Sequence, residues 1–424
     1  MSTSPTSSPR FRCELITVGD EVLRGDIVNG NAAYIGRALS AIGFPPSWSS
    51  VIADKMDVIK SALQTALSRA HVIVLTGGLG PTPDDLTRDA VAQFFDLPLQ
   101  EDPVLLEHVE ALFRSRGMVM PETSRNQSLF PIGASKLPNP HGTAAGIHIE
   151  RDGRHVFCLP GVAIEAQQMT DESVVPIVRE IFPDVQVFTK TLRLAGIGES
   201  HLMQQVGRQE EICAHVSVAY LPHHGLLDLR LTAHSTDRLE AEAQIAFAEA
   251  IIREHVWEHI YATGSAKLGA VIGNILINRG QKLAVAESCT GGLVSDMITD
   301  IPGSSRWFDR GWITYSNAAK TGNICVDEEL IIRHGAVSEE VACAMAQGAR
   351  TNAETSWGIS TTGIAGPDGG TASKPVGTVW IAVSSESGAH ARLLQLSGLR
   401  ETIKLRTAHS VLYLLYRNLM GYTD

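Results

Sequence analysis

The 424-residue sequence has no uninterrupted apolar run long enough to cross a bilayer, which argues against a membrane-spanning role even though 44% of its residues are hydrophobic. It has no block of basic residues either. A formal net charge of −11 makes nucleic-acid binding unattractive, although a local basic cleft stays open as an exception. The six cysteines (Cys13, Cys158, Cys213, Cys289, Cys325, Cys343) lack any C-x-x-C pairing, which argues against a disulfide framework and a structural zinc site. Met1 to Arg10 is rich in Ser, Thr and Pro without the apolar stretch of a secretory signal, so it reads as a frayed tail on a cytoplasmic protein. Low-complexity tracts and internal repeats are missing too.

What is present is too long for one ordinary core and divides into three segments. Residues 11–176 alternate strands with amphipathic helices: Glu14–Val18 reads as a strand, Ala32–Ile42 and Ile59–Ala70 as helices, and His71–Thr76 as a second strand. This alternation predicts a largely parallel α/β sheet whose ligands gather at the carboxyl ends of its strands. Residues 185–261 have the outline of a small α+β module, with Leu221-Pro-His-His-Gly225 as a turn. Its adjacent histidines tempt a metal reading, but they point apart in extended chain and have no carboxylate or cysteine beside them. Residues 265–422 are α/β again, with strands at Lys282–Ala286, Gly311–Tyr315, Trp357–Thr361 and Val376–Val383. A helix over Ser338–Ala353 opens on a serine cap, and a closing helix covers Glu401–Leu419.

The most informative stretch is Lys282-Leu-Ala-Val-Ala-Glu-Ser-Cys-Thr-Gly-Gly292, an apolar strand that breaks into hydroxyls, a thiol and two glycines before a new helix. It places Ser288 on a strand-to-helix turn, with Thr290, Gly291 and Gly292 leading to helix-start amides that could receive a developing oxyanion. Other strand ends of this segment carry Tyr315, Ser316, Asn317 and Lys320, and Thr362-Gly-Ile-Ala-Gly-Pro367, whose Gly363 and Gly366 permit close backbone approach. A serine needs a base, and no Ser–His–Asp order is evident; a desolvated lysine, or one relayed through the Tyr315 phenol, would serve. Each residue also has an ordinary reading. Ser288 or Thr290 could be a helix cap, Lys320 a solvated lysine, Tyr315 a half-buried strand residue and Cys289 a buried small hydrophobe rather than a rival nucleophile. Convergence on strand ends of one segment favours a site.

In the first segment Gly77, Gly78 and Gly80, followed by Thr82, form a loop whose amides could cradle a phosphate. Asp84 and Asp85, joined by Asp20 and Glu21 from the neighbouring strand end, offer hard oxygen ligands for a divalent metal ion. Asp84 could instead cap the helix expected at Leu86.

At these residues the chain resembles the CinA (competence/damage-inducible protein A) family over nearly its whole length. The third segment resembles the family's nicotinamide-nucleotide amidase (PncC) domain through Ala286–Gly292, Pro302-Gly-Ser-Ser305, Tyr315-Ser-Asn317 with Lys320, Gly335–Glu340, Thr362–Pro367 and Lys374–Thr378. The resemblance implies hydrolysis of nicotinamide mononucleotide to nicotinate mononucleotide and ammonia without a cofactor. It makes Ser288 the nucleophile, gives Lys320 and Tyr315 its activation, places Thr362 in the site and assigns Arg400 to the substrate phosphate. The family's Gly-Asp-Arg reads Gly398-Leu399-Arg400 here. The first segment resembles a MoaB/MogA-like molybdopterin-binding-type domain through Gly25–Ala33, Thr76–Thr87, Asn139-Pro-His-Gly-Thr143 and Leu159–Val162, which implies metal-dependent ADP-ribose pyrophosphatase activity. The family's Gly-Thr-Glu reads Gly19-Asp20-Glu21 here, and Ala145 and Ala163 stand where it has proline. The middle segment resembles the connecting module through Gly196–Ser200 and Asp228–Thr232.

The expectation is therefore a multidomain α/β enzyme of pyridine-nucleotide salvage, acting on small-molecule nucleotides, with a homodimer as the default assembly. The alternatives are a first domain that binds a pterin or nucleotide without turning it over, and a scaffold in DNA uptake or repair. Salt-dependent DNA retention would favour the scaffold.

Overall fold

The computed structural model describes residues 11–183, 187–233, 235 and 237–422. The Met1–Arg10 tail and the expected start of the middle segment at Val185 lie outside the described residues. The chain forms two compact units, the first ending at Phe188 and the second running from Thr189 onward apart from residues 234–236. Among the described residues no helix is long and apolar enough to cross a membrane.

The first unit is built on a six-stranded sheet in the order Pro46–Ile52, Cys13–Val18, Val72–Thr76, Arg154–Leu159, Gly146–Arg151, Ser135–Leu137. The first four strands are parallel and the last two antiparallel. Alternation splits each central strand between two cores, which is why these strands read as continuous apolar runs. Cys13 and Leu15 pack with Ile35, Leu39 and Phe157 on one face. Ile16 and Val18 pack with Ile59, Leu63 and Val91 on the other.

The second unit contains both remaining segments. Its smaller sheet orders Ser217–His223, Leu226–Ala233, Phe188–Ala195 and Ile260–Thr263, the first two and the last two strands pairing antiparallel, accompanied by a helix over Arg238–Val256. The turn expected at 221–225 contracts to His224-Gly225, because Leu221 to His223 pair in the strand. The larger sheet orders Phe308–Ile313, Leu283–Glu287, Trp357–Gly363, Thr378–Ser385 and Gly388–Gln395; the first three strands are parallel and the last two antiparallel. Leu283 and Val285 point into a core with Ile272, Leu276 and Val411, whereas Ala284 and Ala286 face Ile324, Val341 and Met345. Ala195, Leu226 and Tyr261 of the smaller sheet belong to the first of these cores. The strand expected at Gly311–Tyr315 ends at Ile313, so Tyr315 lies in the loop beyond it.

Candidate functional site

The parallel register sets Glu287 beside Ile313 on one side and Thr361 on the other, so two strands end together where Ser288 begins the next loop and the third ends two residues later, at Gly363. Ser288 is 8% exposed, and its amide donates to the Thr361 carbonyl at 2.9 Å. Lys320 comes from the helix Asn317–Ile324, which Ser316 caps by accepting the Ala319 amide. Its side chain is buried at 1% exposure, and Nζ donates to Ser288 Oγ at 3.1 Å and to the Thr314 carbonyl at 2.9 Å. Burial holds its pKa below that of an ordinary lysine, since desolvation disfavours the ammonium. Among the described residues no carboxylate pairs with it.

The neighbouring Cys289 is 5% exposed, and burial pushes its thiol up to about 12. A thiol held protonated is a poor nucleophile, so Cys289 behaves as a small core residue. Thr290 is buried with its hydroxyl bonded to that of Thr361 at 2.7 Å. Neither Ser288 nor Thr290 caps the following helix, Leu293–Thr299. The Glu287 carboxylate does so, accepting from the amides of Gly292, Val294 and Ser295 at 2.9, 3.1 and 2.8 Å and from Ser295 Oγ at 2.8 Å. The helix-start amides, which the sequence alone leaves open for an oxyanion, are instead filled by a buried carboxylate. Gly292 sits at φ 100°, a left-handed turn that lets the chain reverse into the helix.

The other expected residues are distributed around this pair. Thr362 is buried, with Oγ1 donating to the Ala336 carbonyl at 2.7 Å, and Gly363 ends the same strand in close contact with Val379. Asn317 is exposed at the start of the Lys320 helix. Tyr315 is 62% exposed and is not relayed to Lys320: its hydroxyl accepts from Arg400 Nη2 at 3.1 Å. Arg400 also donates from Nη1 to the Gly366 carbonyl at 2.6 Å, so its guanidinium clips two loops together. One turn further on, the half-buried Lys404 has no hydrogen bond or ion pair among the described residues, and its Nζ lies 3.7 Å from where a Cβ would sit on Gly291.

The first unit holds a cavity of about 500 Å³ at the carboxyl ends of its parallel strands, lined by Gly77, Gly78, Gly80 and by Glu21, Asp54, Asp84, Asp85 and Glu165. Gly77 is required there, since at φ 98° its missing Cβ would sit 2.1 Å from the Val18 carbonyl oxygen. Asp84 does not cap the helix Thr87–Phe94, which has no side-chain cap. Three of the four acids expected to hold a metal, Glu21, Asp84 and Asp85, line this cavity, but two of the four are already engaged. Asp20 pairs with Arg24 at 2.7 Å, and Asp85 Oδ2 accepts from the amide and hydroxyl of Thr82. Among the described residues no three His, Cys, Asp or Glu side chains are arranged to hold a metal ion, so the set as it stands does not fit one. Asp54 was not anticipated. It accepts the Asp20 amide at 2.7 Å, while burial, together with the carboxylates of Glu21, Asp20 and Asp84, pushes its pKa above the ordinary range.

Residues 265–419 match the CinA C-terminal domain, residues 189–262 the damage-inducible protein CinA KH domain, and residues 14–180 the family described as "Probable molybdopterin binding domain". A CinA-like protein of Nostoc sp. is 43% identical over 373 residues, 88% of each chain. Another, of Synechococcus elongatus, is 39% identical over 421 residues, 98% of this chain and 100% of the relative. The chain belongs to the CinA family. A solved structure of competence/damage inducible protein CihA from Agrobacterium tumefaciens is 37% identical and covers 36% of this chain and 93% of its own, with a TM-score of 0.35.

In this CinA-family chain three residues near the two sites escape a reading of the sequence: Glu287, Lys404 and Asp54. Signals for the first two exist. Glu287 is the only charge in the run Leu283–Glu287, and the helix after it begins at Gly292-Leu293 without a Ser, Thr, Asp or Asn cap. Lys404 stands four residues after Arg400 and so shares its helix face.

Proposed function

We propose that the second unit is a serine amidase that hydrolyses nicotinamide mononucleotide to nicotinate mononucleotide and ammonia. The observation that carries this reading is the buried pair of Lys320 Nζ and Ser288 Oγ at 3.1 Å. In its neutral form Lys320 accepts the Ser288 proton as Oγ attacks the carboxamide carbon. The same proton then passes to the departing nitrogen as the C–N bond breaks, releasing ammonia. Water, deprotonated by the same lysine, hydrolyses the acyl-serine and restores the hydroxyl. The test is ammonia release from nicotinamide mononucleotide, compared between the native protein and Ser288→Ala.

A phosphate on the substrate is matched by the two cations at the start of the last helix. Arg400 is already shared between Tyr315 and Gly366, which leaves Lys404 as the ammonium without a partner. Lys404→Met is expected to raise KM for nicotinamide mononucleotide about tenfold, the worth of one charged hydrogen bond, and to leave kcat nearly unchanged. Steady-state kinetics on the mononucleotide and on its dephosphorylated riboside check this, since the riboside should not distinguish the variant from the native protein. Arg400→Ala should also raise KM, with some loss of kcat because two loops are released.

A second reading concerns the first unit, whose cavity supports a nucleotide site with ADP-ribose as candidate substrate. Five carboxylates line it and no lysine or arginine does, so a free diphosphate meets like charge there. Incubation with ADP-ribose and an added divalent cation decides between a pyrophosphatase and a binding module: turnover favours the first, binding without turnover the second. Chelation is expected to leave ammonia release unchanged, because Ser288 and Lys320 supply nucleophile and base themselves; ammonia release that stops with the chelator would overturn that mechanism. The DNA-scaffold reading gains little from the middle module. Its helices Glu199–Val206 and Gln209–Cys213 are joined through Gly207-Arg208, without the G-x-x-G loop by which KH folds clamp nucleic acid.

A further inference from the structure

Glu287 is the only acid among the described residues of the second unit that is buried, at 0% exposure, and the reaction proposed above gives it nothing to do. A carboxylate is costly to take out of water unless its oxygens are satisfied. Here both are, by three amides and one hydroxyl, and all four donors belong to residues 292–295. An ordinary helix cap would come from the residue just before the helix. This one comes from the last residue of a strand five positions earlier, so a single side chain ties the strand end to the first helical turn. The loop it closes is 288–292, the loop that carries Ser288. The main chain of the same residue reaches the other partner: the Glu287 carbonyl accepts the Thr314 amide at 2.7 Å, and the Thr314 carbonyl accepts Lys320 Nζ at 2.9 Å. Glu287 is thus one residue from the nucleophile along the chain and two hydrogen bonds from the base across the sheet.

We propose that Glu287 is a positioning residue that fixes Ser288 Oγ against Lys320 Nζ by clamping both ends of the 288–292 loop. The inference rests on the serine-amidase reading. It predicts that the clamp governs the rate of attack and not the affinity for substrate, because all four of its bonds are made within the chain, to residues 292–295. Glu287→Gln keeps the size of the side chain but sets an amide NH2 against backbone N–H groups, so one side of the clamp opens. Displacement of a nucleophile by around 1 Å costs about a hundredfold in rate.

The experiment measures kcat, KM, the pH profile and the rate at which a fluorophosphonate phosphonylates Ser288 with loss of fluoride, in native protein, Glu287→Gln and Ser295→Ala. The expected result for Glu287→Gln is a fall in kcat and in labelling rate of about a hundredfold, with KM within a small factor of native. The pH at which activity rises should not move, since Lys320 remains the base. Ser295→Ala removes one of the four donors without touching the carboxylate and should lower kcat and labelling by a smaller factor, again with KM unchanged. A folded Glu287→Gln protein with native kcat and labelling overturns the proposal, as does a loss expressed in KM alone. If Glu287→Gln does not fold, Ser295→Ala decides: native kcat and labelling there overturn the clamp. Native protein that is labelled at Ser288 but releases no ammonia from the mononucleotide would sink the substrate reading while the labelling rates still judge Glu287. Native protein neither labelled nor active overturns both.

Discussion

Ser288→Ala is expected to abolish ammonia release, with kcat falling by at least about 10³-fold, while the protein stays folded. The two parts of this expectation have different origins. Loss of rate follows from removing the hydroxyl that, among the described residues, alone is hydrogen-bonded to Lys320 Nζ, and with it the acyl-enzyme route. Retention of the fold follows from what the hydroxyl does not do. It caps no helix, because Glu287 performs that task, and its loss leaves Lys320 still bonded to the Thr314 carbonyl. The stability change should therefore be about 1 kcal/mol, the net worth of one hydrogen bond, read as a small shift in Tm. Cys289→Ala is the control. A thiol pushed up to about 12 by burial supplies no thiolate at neutral pH, so its removal should leave turnover near native. Turnover that survives Ser288→Ala and falls in Cys289→Ala would reassign the nucleophile.

The central strands of both sheets were legible because buried parallel strands are continuous apolar runs, and Leu283–Glu287 in the second unit and Val72–Thr76 in the first need no context to be read. The strand Pro46–Ile52 was not, since its sequence Pro-Ser-Trp-Ser-Ser-Val-Ile is mostly polar and it lies at the sheet edge. With it went Asp54, which follows that strand much as Asp20 follows Cys13–Val18. Gly388–Gln395, another polar edge strand, escaped for the same reason, whereas its neighbour Thr378–Ser385 was read as a strand at Val376–Val383 and only its antiparallel direction was not. The positions of Ser288 and Lys320 could be read as strand-end residues of one segment. Their contact could not, because it depends on register between neighbouring strands and on which face of the helix Asn317–Ile324 turns inward. Tyr315 shows the converse. Its place in the motif is beside Lys320, yet a strand that ends two residues early turns the phenol outward to Arg400.

Lys320→Met should lower kcat by on the order of 10²- to 10⁴-fold, the range a positioned general base supplies, with KM changed far less. Its pH behaviour distinguishes a base from a structural lysine. Burial lowers the Lys320 pKa, so the neutral form that accepts the serine proton accumulates at a lower pH than in a free lysine, whose pKa is about 10.4. Activity of the native protein should rise with pH through that lowered value, and the residual activity of Lys320→Met should lack this rise. Stability carries the same signature with a definite sign. Between the lowered folded pKa and the ordinary value, the unfolded chain binds more protons than the native one, so native stability increases with pH across that window. Methionine does not titrate. The difference in unfolding free energy between native protein and Lys320→Met should therefore move in favour of the native protein as pH is raised through the window, and be flat below it. Denaturant unfolding of both proteins at several alkaline pH values measures this directly. A difference that does not change with pH would mean that Lys320 is not desolvated as its 1% exposure requires, and the proposed base would lose its physical ground.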